Sequence, residues 1–234
     1  MHETFHNWYT QYLSRNFEML VFGEHGEPFI LFPIAGGRYF ELKDNGFVNA
    51  LSNKINNGEI KLYCPDTIDN ESWQNYGIEP AERVKKHLLY EKLVLNDVIG
   101  FAKYETEKEK VGVIGLGLGG YHAFNLALKY PDKFHTCITL SGNFNIKRFI
   151  YGYYDENCYF NNPIDYLPGL NDKWYLNHLK KMNISIYAFE HDDTFQENIE
   201  ASSLLNEKKV THNFHNQNGE KGDWGNWNRI VQNL

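Results

Sequence analysis

The sequence predicts an α/β protein: a mostly parallel sheet covered by helices on both faces. Three observations lead there. Short β-rich runs open the chain in an antiparallel-looking pattern, and from about residue 81 helical segments alternate with short continuous β-branched ones. The 234 residues, 42% of them hydrophobic, suffice for one sizeable core, so the chain reads as a single domain over 1–234. No repeat of 20 to 50 residues and no Pro/Gly/Ser linker divides it.

Taken in order, the runs 17–22, 29–32 and 60–64 read as strands, separated by the turn-like EHGEP and by an amphipathic segment around 47–55. Residues 81–102 place Val84, Leu88, Leu89, Leu93, Leu95 and Val98 at near-helical spacing, and the run 111–114 that follows is short, continuous and β-branched. That is a helix feeding a buried strand. The alternation continues with a helix at 119–130, a strand at 135–140, an irregular aromatic stretch at 144–171 and a helix at 174–182. A strand at 184–189, a helix at 195–208, a strand at 210–214 and a helix at 224–234 complete it. In such sheets ligands bind beyond the carboxyl ends of the strands, which directs attention to the turns after Phe32, Cys64, Ile114, Leu140, Phe189 and Phe214.

Composition removes several classes of function. Twenty-three basic against 30 acidic residues give a net charge of −7, with no Lys/Arg stripe to offset repulsion from a polyphosphate backbone, so nucleic acid is not an expected partner. The three cysteines, Cys64, Cys137 and Cys158, are widely spaced and belong to no CxxC or Cys/His ligand cluster; a reducing compartment fits. The first ten residues show no basic n-region followed by an apolar h-region, and no apolar run approaches membrane-spanning length. A cytoplasmic, soluble protein is expected, without a membrane partner, bound cofactor or metal.

The segment VGVIGLGLGGYHAF carries two overlapping motifs. Gly115, Gly117 and Gly120 satisfy G-x-G-x-x-G after a strand and at the start of a helix, the pattern in which bare backbone meets a pyrophosphate. Its context is poor: the motif sits mid-chain, and the next strand ends in Leu140-Ser141-Gly142, with no acidic residue for a ribose hydroxyl. The other motif is a nucleophile elbow, G-x-S-x-G, a sharp strand-to-helix turn; Gly115 and Gly119 fit it, but its centre is Gly117.

Segments along the whole chain, among them NWYTQYLSRNFEMLVFGEHGEPFILFPIAGGRYFE, IKLYCPDTIDNESW, GGYHAFNLALKYPDKF with TLSG, YFNNPIDYLPGLND and the closing DWGNW, resemble small bacterial esterases of the α/β-hydrolase superfamily, in the branch related to the esterase D group. The resemblance implies the α/β-hydrolase fold. It also places the nucleophile on Gly117, the acid on Asp193 and the base, the histidine of an HDW-x-x-W motif, on Gly222. Glycine can act neither as nucleophile nor as base in a mechanism that needs a hydroxyl, an imidazole and an orienting carboxylate. The oxyanion donors implied by the resemblance are backbone N–H groups, of Leu118 and of Ala35 in the loop 33–37, and these survive any change of side chain.

Plainer readings cover the neighbouring polar residues. Asp192 and Asp193 both suit the start of the helix at 195–208. His122 reads as a partly buried packing histidine and Ser141 as structural; of His191, His212 and His215, the last could swing from its loop toward Gly222. Cys64 has no basic neighbour to ionise it. Asp66, Asp69 and Glu71 match no metal-ligand spacing and suit caps or turns, and the aromatics of 149–160 either roof a pocket or pack in the core. The leading expectation is therefore an esterase-like α/β-hydrolase that has lost covalent catalysis and retains a pocket for a small-molecule ligand or protein partner, with a homo-oligomer as a further option. The alternatives are an active carboxylic-ester hydrolase whose serine and histidine are here substituted, or replaced in their role by other residues, and a nucleotide-binding protein using the GLGLGG turn.

Overall fold

A computed structural model describes residues 1–233. Eight strands, β1 (Glu3–Thr10), β2 (Arg15–Phe22), β3 (Glu27–Phe32), β4 (Ile60–Pro65), β5 (Val111–Leu116), β6 (Phe134–Leu140), β7 (Asn183–Phe189) and β8 (Asn213–Gln217), form one sheet in the order β1-β2-β4-β3-β5-β6-β7-β8. The β1/β2 and β2/β4 pairs are antiparallel and every other pair is parallel. The predicted fold class is the one observed.

The central strands β3 and β5 are apolar almost throughout because both faces are covered. Ile30 and Phe32 of β3, with Val111 and Val113 of β5, pack on one side among the helices Pro80–Leu93, Ile99–Thr106, Leu118–Lys129 and Phe195–Glu207. Leu31, Ile114 and Leu116 point the other way, with Phe47, Leu51 and Ile55 from the short helical turns of 41–56 and Trp227 and Val231 of the helix Trp224–Val231. Side chains two apart along a strand share a face, so β3 and β5 each serve both cores at once.

The structure departs from the sequence reading in three places. β1 was not expected: its aromatics fall on both faces of an edge strand whose exposed and half-buried residues alternate, a weak apolar signal. The last strand is three residues later than the expected 210–214, because Val210 is buried ahead of it while Asn213–Gln217 pairs with β7. The helix expected over 81–102 is Pro80–Leu93 and Ile99–Thr106 joined by a π-helical turn, Val94–Val98, where Asp97 accepts from the indole N–H of Trp8 at 3.2 Å. No helix among the described residues is long and apolar enough to cross a membrane.

Candidate active site

β5 ends in a sharp turn into the helix Leu118–Lys129, and Gly117 sits at its apex with φ 56° and ψ −118°. That left-handed region is costly for a residue bearing a Cβ and free for glycine. The flanking glycines allow the approach of strand and helix: a Cβ on Gly115 would lie 2.0 Å from the Gly119 carbonyl oxygen, and one on Gly119 would lie 2.1 Å from that of Pro33. The glycines that match a dinucleotide fingerprint are thus spent on the elbow itself. A Cβ at Gly117 would meet only Asn143 Oδ1 at 3.7 Å and Ile34 Cγ2 at 4.0 Å, so the apex has room for a side chain.

The loop 33–37 beside the apex is clamped from the segment following β4. Gly37 N–H closes its turn onto the Ile34 carbonyl at 2.9 Å, and the Thr67 hydroxyl donates to the Gly37 carbonyl at 2.8 Å. Asp69, fully buried, accepts from Gly36 N–H at 3.3 Å and from His122 Nε2 at 2.8 Å, tying the loop to the elbow helix. Asp66 accepts from Arg38 Nε at 2.8 and 2.9 Å and from Tyr39 N–H at 3.3 Å. Burial pushes the Asp66 carboxyl up and Arg38 pulls it back down. Neither Leu118 nor Ala35 donates its N–H to another described residue.

His122, expected to be partly buried, is fully buried and bonded to Asp69, and its ring stacks on His87 at 5.6 Å. Asp66, Asp69 and Glu71 go separate ways, to Arg38, His122 and Arg15, and among the described residues no group of three His, Cys, Asp or Glu could hold a metal ion. Cys64 is buried, and burial pushes its thiol up. Phe149 and Cys158 pack in a small core with Trp73, Leu118 and Tyr121, while Tyr151, Tyr153, Tyr154 and Phe160 of the same stretch are exposed.

Beside Gly222, where the resemblance puts the base, the carboxylate is Asp192 and not the expected Asp193. Asp193 is exposed beside the helix start, whereas Asp192 Oδ1 accepts from Gly222 N–H at 2.8 Å. Spacing cannot separate consecutive aspartates; the turn after β7, where Asp192 N–H bonds the Phe189 carbonyl, aims the first one inward. Asp192 Oδ2 is buried without a hydrogen-bond partner. A Cβ on Gly222 would lie 2.6 Å from that oxygen, 2.1 Å from Ser141 Oγ and 3.1 Å from Trp227 Nε1. Ser141 is itself at φ 56°, and its Oγ accepts from the Trp227 indole at 3.2 Å. Among the described residues no histidine hydrogen-bonds Asp192: His215 lies in β8 and stacks on Tyr187 at 4.3 Å, His212 bonds Ser202 at 2.7 Å, and His191 is exposed.

A central, mostly parallel sheet with a glycine-flanked elbow after β5 and a carboxylate after β7 defines an α/β-hydrolase fold of the esterase type. Residues 47–231 match the family model described as "Putative esterase", and the chain belongs to that family. Among solved structures it is similar to a ferulic acid esterase, with TM-score 0.80 and 14% identity over 100% of this chain and 96% of that one. It is also similar to the S-formylglutathione hydrolase FrmB of Staphylococcus aureus, with TM-score 0.67 and 14% identity over 100% and 97%. A stretch of 62 residues is 36% identical to 1-acylglycerol-3-phosphate O-acyltransferase ICT1 of Saccharomyces cerevisiae; that match takes 26% of this chain and spans only 16% of the yeast protein.

Proposed function

We propose that this member of the esterase family does not hydrolyse esters through a covalent intermediate, and that its elbow and clamped loop form a cup that binds a small polar ligand or partner group without turning it over. The observation that carries the reading is Asp192 Oδ2, a buried carboxylate oxygen with no partner where Gly222 offers no imidazole. A buried polar group left unmatched costs about 1–3 kcal/mol, which is what an orienting acid would bear after losing its base. Gly117 adds the absence of an oxygen nucleophile at a turn whose backbone kept the elbow conformation. The free Leu118 and Ala35 amides support retention of an anion- or carbonyl-binding cup, because such donors depend on backbone geometry and not on side chains.

The test is a panel of short acyl esters and thioesters together with a fluorophosphonate probe. Turnover at background and no labelling are expected. Stoichiometric labelling mapped to Ser141, whose hydroxyl lies where a Cβ on Gly222 would stand, would overturn the proposal in favour of an active hydrolase with a relocated nucleophile.

A further inference from the structure

β1 is an edge strand, and the directions of its backbone groups follow from its neighbours. Asp66 N–H donates to the Glu18 carbonyl at 2.9 Å, so Glu18 turns its backbone toward β4, and its neighbours Phe17 and Met19 turn theirs toward β1. Those residues lie opposite Trp8 and His6, and Gly23 N–H bonds the His2 carbonyl in the same phase. The even-numbered residues of β1 therefore pair with β2, and Glu3, Phe5, Asn7 and Tyr9 direct their N–H and C=O groups outward, off the sheet.

This edge lacks the features that usually guard one. Across Glu3–Thr10 there is no Lys, Arg or Pro, and the single charge, Glu3, is held by Lys43 at 2.7 Å. Phe5 and Tyr9, on one face, are 53% and 66% exposed. Phe5 continues into Tyr39, with ring centroids 5.5 Å apart, and Tyr39 into the exposed Phe40, with Arg38 beside both rings. Exposed aromatics flanked by arginine are the composition of an interface centre.

We propose that β1 pairs antiparallel with β1 of a second copy of this chain about a two-fold axis through Asn7, making one continuous sixteen-stranded sheet. The phase of the outward groups requires odd-numbered residues to face odd-numbered ones. Of the registers that satisfy it, the one centred on Asn7 sets Phe5 against the second copy's Tyr9 and Tyr9 against its Phe5, two aromatic cross-strand pairs on one face. Shifting the pairing by two residues either way puts Asn7 opposite an aromatic instead. The centred register also places each Glu3 opposite Gln11, at opposite ends of the pairing, so no like charges meet across it. Both copies present the same patch, as a two-fold interface demands. Because each copy carries a net charge of −7, added salt strengthens the association by screening their repulsion.

The experiment is light scattering with size exclusion over a range of protein concentrations, combined with cysteine cross-linking. The three native cysteines are buried, so a thiol introduced on β1 is the accessible one. The wild-type chain is expected to elute at twice its chain mass, and Phe5→Lys with Tyr9→Lys, two exposed positions, to elute as a folded monomer by circular dichroism. Under mild oxidation Asn7→Cys cross-links to a dimer, since directly opposed residues lie about 5.5 Å apart between Cα atoms, within disulfide reach. Tyr9→Cys does not, its counterpart being four residues, or about 14 Å, along the pairing. A wild-type monomer at every concentration, a dimer indifferent to the paired lysines, or cross-linking through Tyr9→Cys but not Asn7→Cys would each overturn the proposal.

Discussion

Gly222→Ala tests whether the base position is closed. The new Cβ would lie 2.1 Å from Ser141 Oγ and 2.6 Å from Asp192 Oδ2, far inside van der Waals contact, so both side chains must move. Turning Ser141 away leaves the Trp227 indole N–H without its 3.2 Å acceptor in a buried site, which costs about 1–3 kcal/mol. Pushing Asp192 off its rotamer adds about 0.5–1.5 kcal/mol. Together these predict a loss of about 2–4 kcal/mol, or a drop in Tm of roughly 5–15 °C for a chain of this size. In a Ser141→Gly background the obstructing hydroxyl and its bond are already gone, so the same Gly222→Ala change is expected to cost about 1 kcal/mol. Urea unfolding of the two single variants, the double variant and the parent gives the coupling directly. Equal costs of Gly222→Ala in both backgrounds would refute the crowding by Ser141. The cycle also determines how a triad could be rebuilt: Gly117→Ser with Gly222→His is expected to remain inert until Ser141→Gly makes room, after which Asp192 Oδ2 has an imidazole to accept from, and any activity should need all three changes.

Gly117→Ser by itself is expected to lose about 1–3 kcal/mol by thermal melt, a cost of backbone strain at φ 56° and not of crowding, so Gly117→Ala should cost the same within error. Asp69→Ala breaks a fully buried hydrogen bond to His122 and frees the loop at Gly36; a loss of about 1–3 kcal/mol in urea is expected, and no measurable loss would show that the clamp contributes nothing. Burial first, then the nearby His122 and Lys129, holds the His87 imidazole well below its usual 6.5. His87 therefore stays neutral in the fold while the unfolded chain takes up its proton, so stability is full above about pH 6.5 and falls below it, by up to about 1.4 kcal/mol per pH unit. Melts between pH 5 and 8 should show a shallower acid slope in His87→Gln; identical slopes would remove His87 as the cause. NAD(P) and ATP should leave the Tm unchanged, whereas a ligand at a hundredfold excess over its Kd would add about 2.7 kcal/mol.

The fold class and the elbow were legible in the sequence because both rest on local patterns. Val111–Leu116 is apolar throughout, as a strand buried on both faces must be, and Gly115 and Gly119 bracket the turn at the spacing that close packing of strand and helix requires. That Gly117 and Gly222, to which the resemblance assigns nucleophile and base, carry neither a hydroxyl nor an imidazole was likewise visible in the residues themselves. What the sequence left open depends on contacts between residues far apart in the chain. Asp192 and Asp193 are equivalent by spacing, and only the path of the backbone after β7 turns the first onto Gly222, 30 residues away. His122 carries no sign that Asp69, 53 positions earlier, will meet it in the buried interior. Nor does Gly222 announce that Ser141 Oγ, fixed by a tryptophan 86 residues on, fills the space of its absent side chain. Periodicity and turn chemistry act over a few residues and so determined the elements; the filling of the space beside Gly222 is a matter of packing, decided only when β6, the turn after β7 and the last helix come together.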